Sequence, residues 1–327
     1  MKKSLLALSL TALLGACSTA QQTAPAEPAA AQKAVWDKQY GGADKSYDQN
    51  LLSLREQIAP RFQQLEFKDS VTGKTMAYNL YTPKNLEPGK KYPLVMFIAD
   101  ASTVGKGVKA PLMQGYGGII WATDESQAKH PAFVLVPSFA GPQSAVNDQW
   151  QTTDEVGIAL RLLKHTIKNQ AVDAKRVYTT GQSMGGMISF YLNVTEPKLF
   201  AASMFVGSQW DVNVLEPLKN AKFIYTVSAG DPKASKGMAD LAAMFKQKNI
   251  PFAQTEFAAN APKAEQDAAV NALLKQGNPH NFIMFTKGTT LPAGVDGNSK
   301  AGEHMYSFDY AYQLEPARDW LFQQVRK

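Results

Sequence analysis

The chain has 327 residues, 45% of them hydrophobic and 19% charged, with a formal charge of +6 at pH 7. Length and composition are those of an ordinary globular protein, with room for one large α/β domain or two small ones around a sizeable core. The basic residues are scattered and form no patch or stripe, which argues against a nucleic-acid partner.

The opening stretch, MKKSLLALSLTALLGACSTA, puts two lysines ahead of an apolar run that ends in small residues. This is a secretory signal pattern, too short for a membrane span. Leu14, Gly15, Ala16 and Cys17 resemble the lipobox of bacterial lipoproteins. That resemblance implies cleavage before Cys17, the only cysteine, and its acylation with chains such as palmitate. Ser18 after the cysteine, in place of aspartate, implies by the same resemblance the outer membrane of a Gram-negative cell. Loss of Lys2 and Lys3 with the signal takes the charge from +6 to +4. Residues 18–35 are rich in Ala, Gln and Pro and read as a tether with nothing to bury. With Cys17 acylated, no disulfide is left to the folded part, whose core must hold it together in an oxidising compartment. The expected division is a signal at 1–16, a lipidated cysteine and tether at 17–35, and a single domain at 36–327.

Two partly alternating stretches within 61–82 flank a turn at Thr72-Gly73, as in an antiparallel hairpin at a sheet edge. YPLVMFIAD (92–100) and FVLVPSF (133–139) are nearly continuous apolar runs, the pattern of buried parallel strands. Thr152 and Glu155 have capping-box spacing. Val156, Leu160, Leu163 and Ile167 then follow along one face of a helix. RVYTTG, FAASMFVGS and FIYTVSAGD read as strands, with a helix at about 184–194 after the first. DLAAMFKQKN and EQDAAVNALLKQG read as helices separated by the strand FAQTEF. NFIMF is a further strand, and the last helix spans about 313–325. Alternation of strands and helices from residue 92 onward predicts an α/β fold: a mostly parallel sheet covered by helices on both faces, with the N-terminal hairpin at its edge.

The strand VYTT runs into Gly181-Gln182-Ser183-Met184-Gly185, a G-x-S-x-G sequence in the strand–turn–helix context that a nucleophile elbow requires. A strained backbone at Ser183 would lift its side chain clear of the sheet. A Cβ at 181 or 185 would crowd the neighbouring strand or helix. The helix that starts here turns free N–H groups toward the site, so the Met184 N–H can donate to a developing oxyanion. The chain has four histidines. His130 precedes a proline at the start of a strand, and His165 lies in mid-helix. His280 is at the amino end of NFIMF, the wrong end for a site in a parallel sheet. His304 lies in a loop after the last strand and is the candidate base, late in the chain where the order Ser–acid–His places it. Asp231, past the carboxyl end of FIYTVS, is the candidate acid. Asp211 in SQWDVN is its competitor, and Asp309 is a candidate for holding the loop.

These residues resemble the α/β-hydrolases, and more narrowly the secreted esterases of the predicted-peptidase, polyhydroxybutyrate-depolymerase-like and feruloyl-esterase-like groups. YPLVMFIADAS, QGYGGIIWATDESQAKHPAFVLVPS, RVYTTGQSMGG and HMYSFDYAYQLEPARDWLFQQ carry the resemblance, which covers residues 60–326. It implies Ser183 as nucleophile, Asp231 as acid and His304 as base. It also implies a second oxyanion donor in the N–H of Ala101. The chain departs from the family in two places. Ala99-Asp100 replaces a His-Gly pair, so a carboxylate either faces the oxyanion position and opposes catalysis, or turns away into its own loop. The segment at about 258–303 reads as an insertion, either a cover for the site or decoration on the sheet edge.

The function expected is serine carboxylic ester hydrolysis through an acyl-enzyme, on a small or oligomeric ester, with no metal or organic cofactor. Gln182, Trp121, Trp150 and Trp210 are candidates for the substrate pocket. The aromatics would stack on an aryl or sugar group there, or else pack in the core or at the rim. The rival readings are a serine peptidase of the same fold and a non-catalytic envelope binding protein on a hydrolase scaffold. Membrane contact is expected through the N-terminal lipid.

Overall fold

The computed structural model describes Met1, residues 36–296 and residues 302–327. The remainder of the expected signal, Cys17 with its expected acylation, the expected tether and residues 297–301 lie outside the described residues. In chain order, α1 (Gln49–Ile58) precedes the hairpin of β1 (Gln63–Lys68) and β2 (Thr75–Tyr81). β3 (Tyr92–Ile98), α2 (Ala110–Met113), α3 (Asp124–Lys129) and β4 (Phe133–Pro137) follow. Next come α4 (Asp154–Asn169), β5 (Val172–Gln182), α5 (Met184–Thr195), β6 (Ala202–Val206) and β7 (Phe223–Ser228). The chain continues through α6 (Pro232–Gln247), β8 (Ala253–Phe257), α7 (Lys263–Leu274) and β9 (His280–Phe285), and closes with α8 (Gly302–Gln313) and α9 (Glu315–Gln323).

The strands form one nine-stranded sheet in the order β1-β2-β4-β3-β5-β6-β7-β9-β8. The expected hairpin holds one edge: β1 pairs antiparallel with β2, and β2 antiparallel with β4. Every other pairing is parallel. The apolar runs read as buried strands are buried throughout in β3 and β4. Their alternate residues face two separate cores. Val95, Phe97, Val134 and Val136 pack with residues of α1, α7, α8 and α9 on one face. Leu94, Met96, Ile98 and Leu135 pack with α4, α5 and α6 on the other. Each such side chain fully buried stabilises by roughly 1.5–3 kcal/mol, which is why runs of this kind can hold a sheet without a disulfide.

Four local expectations are corrected. The residue before the first turn of α4 is Thr153, with no side-chain cap. No capping box forms, because Glu155 reaches across to the N–H groups of Ala140 (2.8 Å) and Gly141 (3.2 Å). The buried face of α4 runs through Val156, Ala159, Leu162, Leu163 and Thr166, so Leu160 and Ile167 lie at its margin. Within 258–303, the strand NFIMF is neither cover nor edge decoration. As β9 it lies inside the sheet between β7 and β8, and β8 holds the edge. His304 is not in a loop. It is the third residue of α8, a helix that precedes the closing one.

Candidate active site

β5 carries the chain to the middle of the sheet and ends at Gln182. Ser183 then has φ 50° and ψ −117°, a strained combination for a residue with a side chain. What enforces it is close packing of backbone on both sides. A Cβ on Gly181 would lie 2.2 Å from the Gly185 carbonyl carbon, and one on Gly185 would lie 1.8 Å from the Ile98 carbonyl oxygen. The elbow is therefore wedged between its own helix and the end of β3. The Ser183 N–H donates to the Val206 carbonyl at 3.0 Å, fixing the elbow to β6 as well.

Three side chains meet here from three elements. His304 Nε2 lies 2.9 Å from Ser183 Oγ. Its Nδ1 is hydrogen-bonded to Asp231 Oδ2. Asp231 is buried at the amino end of α6, where its other oxygen accepts the Ala234 N–H at 3.2 Å. The two carboxylate oxygens are thus divided between capping a helix and holding the imidazole. With the proton on Nδ1 donated to Asp231, Nε2 is left to accept the Ser183 hydroxyl proton. The ring of Phe308, one turn along α8, meets the imidazole edge-on at 4.9 Å.

The other acids and histidines are elsewhere. Asp211 caps a short turn by accepting the Asn213 N–H at 3.0 Å. His280 is buried between the carbonyls of Pro251 (2.8 Å) and Leu218 (3.1 Å), and burial pushes its pKa down. His130 stacks on Phe322 and contacts Asp319 at 2.9 Å. His165 is on the exposed face of α4, near Phe67 and Asn169. Asp309 does not position a loop around His304, since both lie in α8; it holds the segment at Tyr116 instead. Its Oδ1 accepts the Tyr116 N–H at 2.9 Å, and its Oδ2 pairs with the buried Lys45 at 2.6 Å.

Ala101 opens a short 3-10 turn directly after β3, and Met184 opens α5. As first residues of their helical turns, both have N–H groups without an intrahelical acceptor. Between β3 and Ala101, the Asp100 carboxylate turns into its own loop. One oxygen accepts the Ser102 N–H at 2.9 Å and the Ser102 hydroxyl, and the other accepts Gln182 Nε2 at 3.0 Å. Of the two orientations open to Asp100, it takes the one that frames the loop.

Two pocket expectations are corrected. Gln182 is buried and spends its amide on Asp100 and on the Gln114 side-chain oxygen. Trp121 is fully buried against Tyr312 and Phe322, with its Nε1 donating to the Gly117 carbonyl at 2.9 Å. It is a core residue. Trp150 and Trp210 do line a cleft, together with residues of the first turns of α6.

Sequence reasoning passed over Glu303. This buried carboxylate accepts from Ser228 Oγ at 2.7 Å, from the Gly288 N–H at 2.9 Å and from Thr290 Oγ1 at 3.3 Å. It joins three segments: the end of β7 that leads to Asp231, the loop after β9, and the turn of α8 that carries His304. Its sequence neighbour His304 drew the reading, while its partners are 13 to 75 positions away.

No family model matches the chain, and no curated protein sequence does. Solved structures do. A thermostable esterase aligns with a TM-score of 0.64 at 24% identity, over 83% of this chain. The chain spans 64% of that esterase's length. A ferulic acid esterase aligns with a TM-score of 0.54 at 12% identity, over 80% of this chain and 97% of the other. The S-formylglutathione hydrolase FrmB from Staphylococcus aureus aligns with a TM-score of 0.50 at 12% identity, over 80% of this chain and 98% of the other. The fold is that of the α/β-hydrolases.

Proposed function

We propose that the protein is a serine hydrolase of carboxylic esters that works through an acyl-enzyme. The observation that carries this reading is the unbroken line of hydrogen bonds from Ser183 through His304 to Asp231, starting at a serine held in strained geometry. His304 Nε2 takes the hydroxyl proton as Ser183 Oγ attacks the ester carbonyl. Asp231 keeps the imidazole in the tautomer this needs and stabilises its cationic form. The N–H groups of Met184 and Ala101 receive the carbonyl oxygen as it becomes negative. His304 returns the proton to the departing alcohol, leaving the acyl group on Ser183. It then activates water to release the acid. Asp100, turned into its loop, leaves the oxyanion position free of its charge, which supports catalysis over a purely binding role. No step calls for a metal or organic cofactor.

A fluorophosphonate probe tests the reading. Labelling and hydrolysis of p-nitrophenyl acetate are expected in the wild type, and both are lost in Ser183→Ala. A wild-type protein that neither labels nor cleaves small esters ends the enzyme reading. Cleavage of peptides in preference to esters replaces it with the peptidase reading.

The lipobox at Leu14–Cys17 supports anchoring of this hydrolase by an acylated Cys17, in the outer membrane by the resemblance at Ser18. No helix among the described residues is long and apolar enough to cross a membrane. Radiolabelled palmitate incorporated into the wild type and absent from Cys17→Ala is the expected result.

A further inference from the structure

Ahead of α1, residues 36–48 form a strap that packs against the 99–103 loop. A tight turn within it is closed by Asp37. The Asp37 N–H donates to the Gly42 carbonyl at 2.9 Å, and its carbonyl accepts the Gly41 N–H at 3.1 Å. Its carboxylate accepts the N–H groups of Gln39 and Tyr40 at 2.7 and 2.9 Å. At the end of this turn Gly41 and Gly42 have φ of 86° and 83°, a left-handed backbone that favours glycine. Close approach requires glycine there as well. A Cβ on Gly41 would lie 2.1 Å from the Ser102 carbonyl oxygen, and one on Gly42 would lie 2.6 Å from Gln114 Nε2.

These two contacts fall on the two ends of one hydrogen-bonded chain. Ser102 donates to Asp100, Asp100 accepts from Gln182, and Gln182 donates to Gln114. The strap therefore closes on both ends of the network that shapes the loop. Just past the loop, Lys106 Nζ donates to the Lys38 carbonyl at 2.7 Å and ties strap to loop directly. Neither end of the network holds itself. Gln114 Nε2 is buried without a hydrogen-bond partner among the described residues, so packing against Gly42 steadies that side of the amide. Ala101 is exposed, so burial of its own side chain does not fix its peptide. Ala101 and Ser102 share one 3-10 turn, closed by the Thr103 N–H on the Asp100 carbonyl and the Val104 N–H on the Ala101 carbonyl, each at 3.2 Å. A shift of Ser102 carries Ala101 with it.

We propose that Gly41 and Gly42 are positioning residues for the Ala101 N–H. The strap bears on Ser102 and Gln114 from outside and sets the depth at which that N–H meets the oxyanion. Neither glycine touches the substrate or the reacting atoms; both act through the loop. With the strap displaced, the Met184 N–H remains as a donor, and Ser183, His304 and Asp231 keep their geometry. Attack on the ester then slows, while ester binding and the base are unaffected. The proposal rests on the ester-hydrolase reading above, and its test separates the two.

Gly41→Ala, Lys106→Met and Lys106→Arg are compared with the wild type on p-nitrophenyl acetate, with active sites counted by the fluorophosphonate probe. Asp69→Asn, at the turn of the β1–β2 hairpin, is the control for lowered stability alone. The kcat per labelled serine is expected to fall about tenfold in Gly41→Ala and about threefold in Lys106→Met. In both, kcat/KM should fall equally, KM should stay within about twofold of the wild type, and the pH profile should not move. Lys106→Arg, which keeps a donor for the Lys38 carbonyl, should restore kcat. Asp69→Asn should lose Tm and keep its kcat. Wild-type kcat in Gly41→Ala, or in Lys106→Met where the glycine variant does not fold, overturns the proposal and leaves the hydrolase reading intact. A loss of kcat shared by Asp69→Asn overturns it as well. So does a shifted pH profile, since the strap would then act on His304 through the Lys45–Asp309 pair. If the wild type neither labels nor cleaves an ester, the hydrolase reading fails, and the oxyanion role of the strap fails with it.

Discussion

The elbow at 181–186 and the loop at 99–103 meet at the end of β3, and each offers one backbone N–H in the proposed chemistry. They are fixed by different forces. The elbow is held by backbone packed so closely on backbone that Gly181 and Gly185 have no room for a Cβ. The loop is held by side chains: Asp100 grips Ser102 and Gln182, and Gln182 grips Gln114. Close packing leaves a local sequence signature, because only glycine satisfies it. A polar network spread over residues 100, 102, 114 and 182 leaves none. It is also softer, since a lost hydrogen bond costs about 1–3 kcal/mol, whereas displaced backbone costs more.

The sharpest break comes at the elbow. Gly185→Ala must move the carbonyls of Ile98 and Ala99, which a Cβ would approach to 1.8 and 2.8 Å. We expect it to destabilise the protein by about 4 kcal/mol or more, or to prevent folding, as read by urea unfolding. Asp100→Ala should fold, with stability lower by about 1–3 kcal/mol. Its kcat for small esters should fall by about 10- to 100-fold with little change in KM. Asp100→Asn, which keeps an acceptor for the Ser102 N–H, should lose less. Full activity in Asp100→Ala would show that the loop keeps its shape without the network.

Glu303 is a third kind of anchor, polar like the loop but at the base side of the site. Glu303→Gln puts an amide N–H where donors now converge, and we expect kcat to drop by about tenfold through a displaced His304. Ser228→Ala should reproduce part of that loss, and steady-state kinetics on both variants decides it. The smallest effect concerns pH. Asp69 accepts from Arg161 at 2.6 and 2.8 Å, and these hydrogen bonds hold its carboxyl well below the usual range, with the Thr72 contacts adding to them and burial opposing. Its folded pKa is depressed, so its contribution is fully present above about pH 4, the unfolded value, and is lost as the pH falls below it. The Tm of wild type should therefore drop more steeply below about pH 4 than that of Asp69→Asn. A turn held by ionised groups titrates in this way, while the glycine-wedged elbow has nothing to titrate.

The same division explains what was legible in the sequence. Strands buried on both faces announce themselves as apolar runs, and β3, β4 and β7 lie within the stretches read as strands at 92–100, 133–139 and 223–231. The elbow read correctly because its geometry demands glycine. The G-x-S-x-G motif singles out Ser183, and order along the chain singles out Asp231 and His304; the structure brings the three side chains together. The helix under His304 was missed. Its stretch, GEHMYSFDYAYQ, is buried on several sides and so lacks the one-sided spacing that marks a surface helix. The place of β9 inside the sheet is not legible, because strand order is a tertiary fact that no local pattern encodes. The place of Trp121 in a glycine-containing loop leaves pocket and core both open to it. That loop is buried, and the ring fills the core beneath it.

The ion pair of Lys45 with Asp309 joins positions 264 residues apart, with the Lys45 side chain wholly shielded from water. A ribosome delivers the lysine long before its partner. Until α8 has emerged, the segment around Lys45 has no counter-charge to draw it inward, and a buried ammonium on its own is strongly unfavourable. Closure of the N-terminal segment against Asp309 therefore requires the same helix that carries His304. A chain cut short before Asp309 would keep Lys45 outside and expose the 36–48 segment to proteases, so limited proteolysis there reports whether the base-bearing helix has docked.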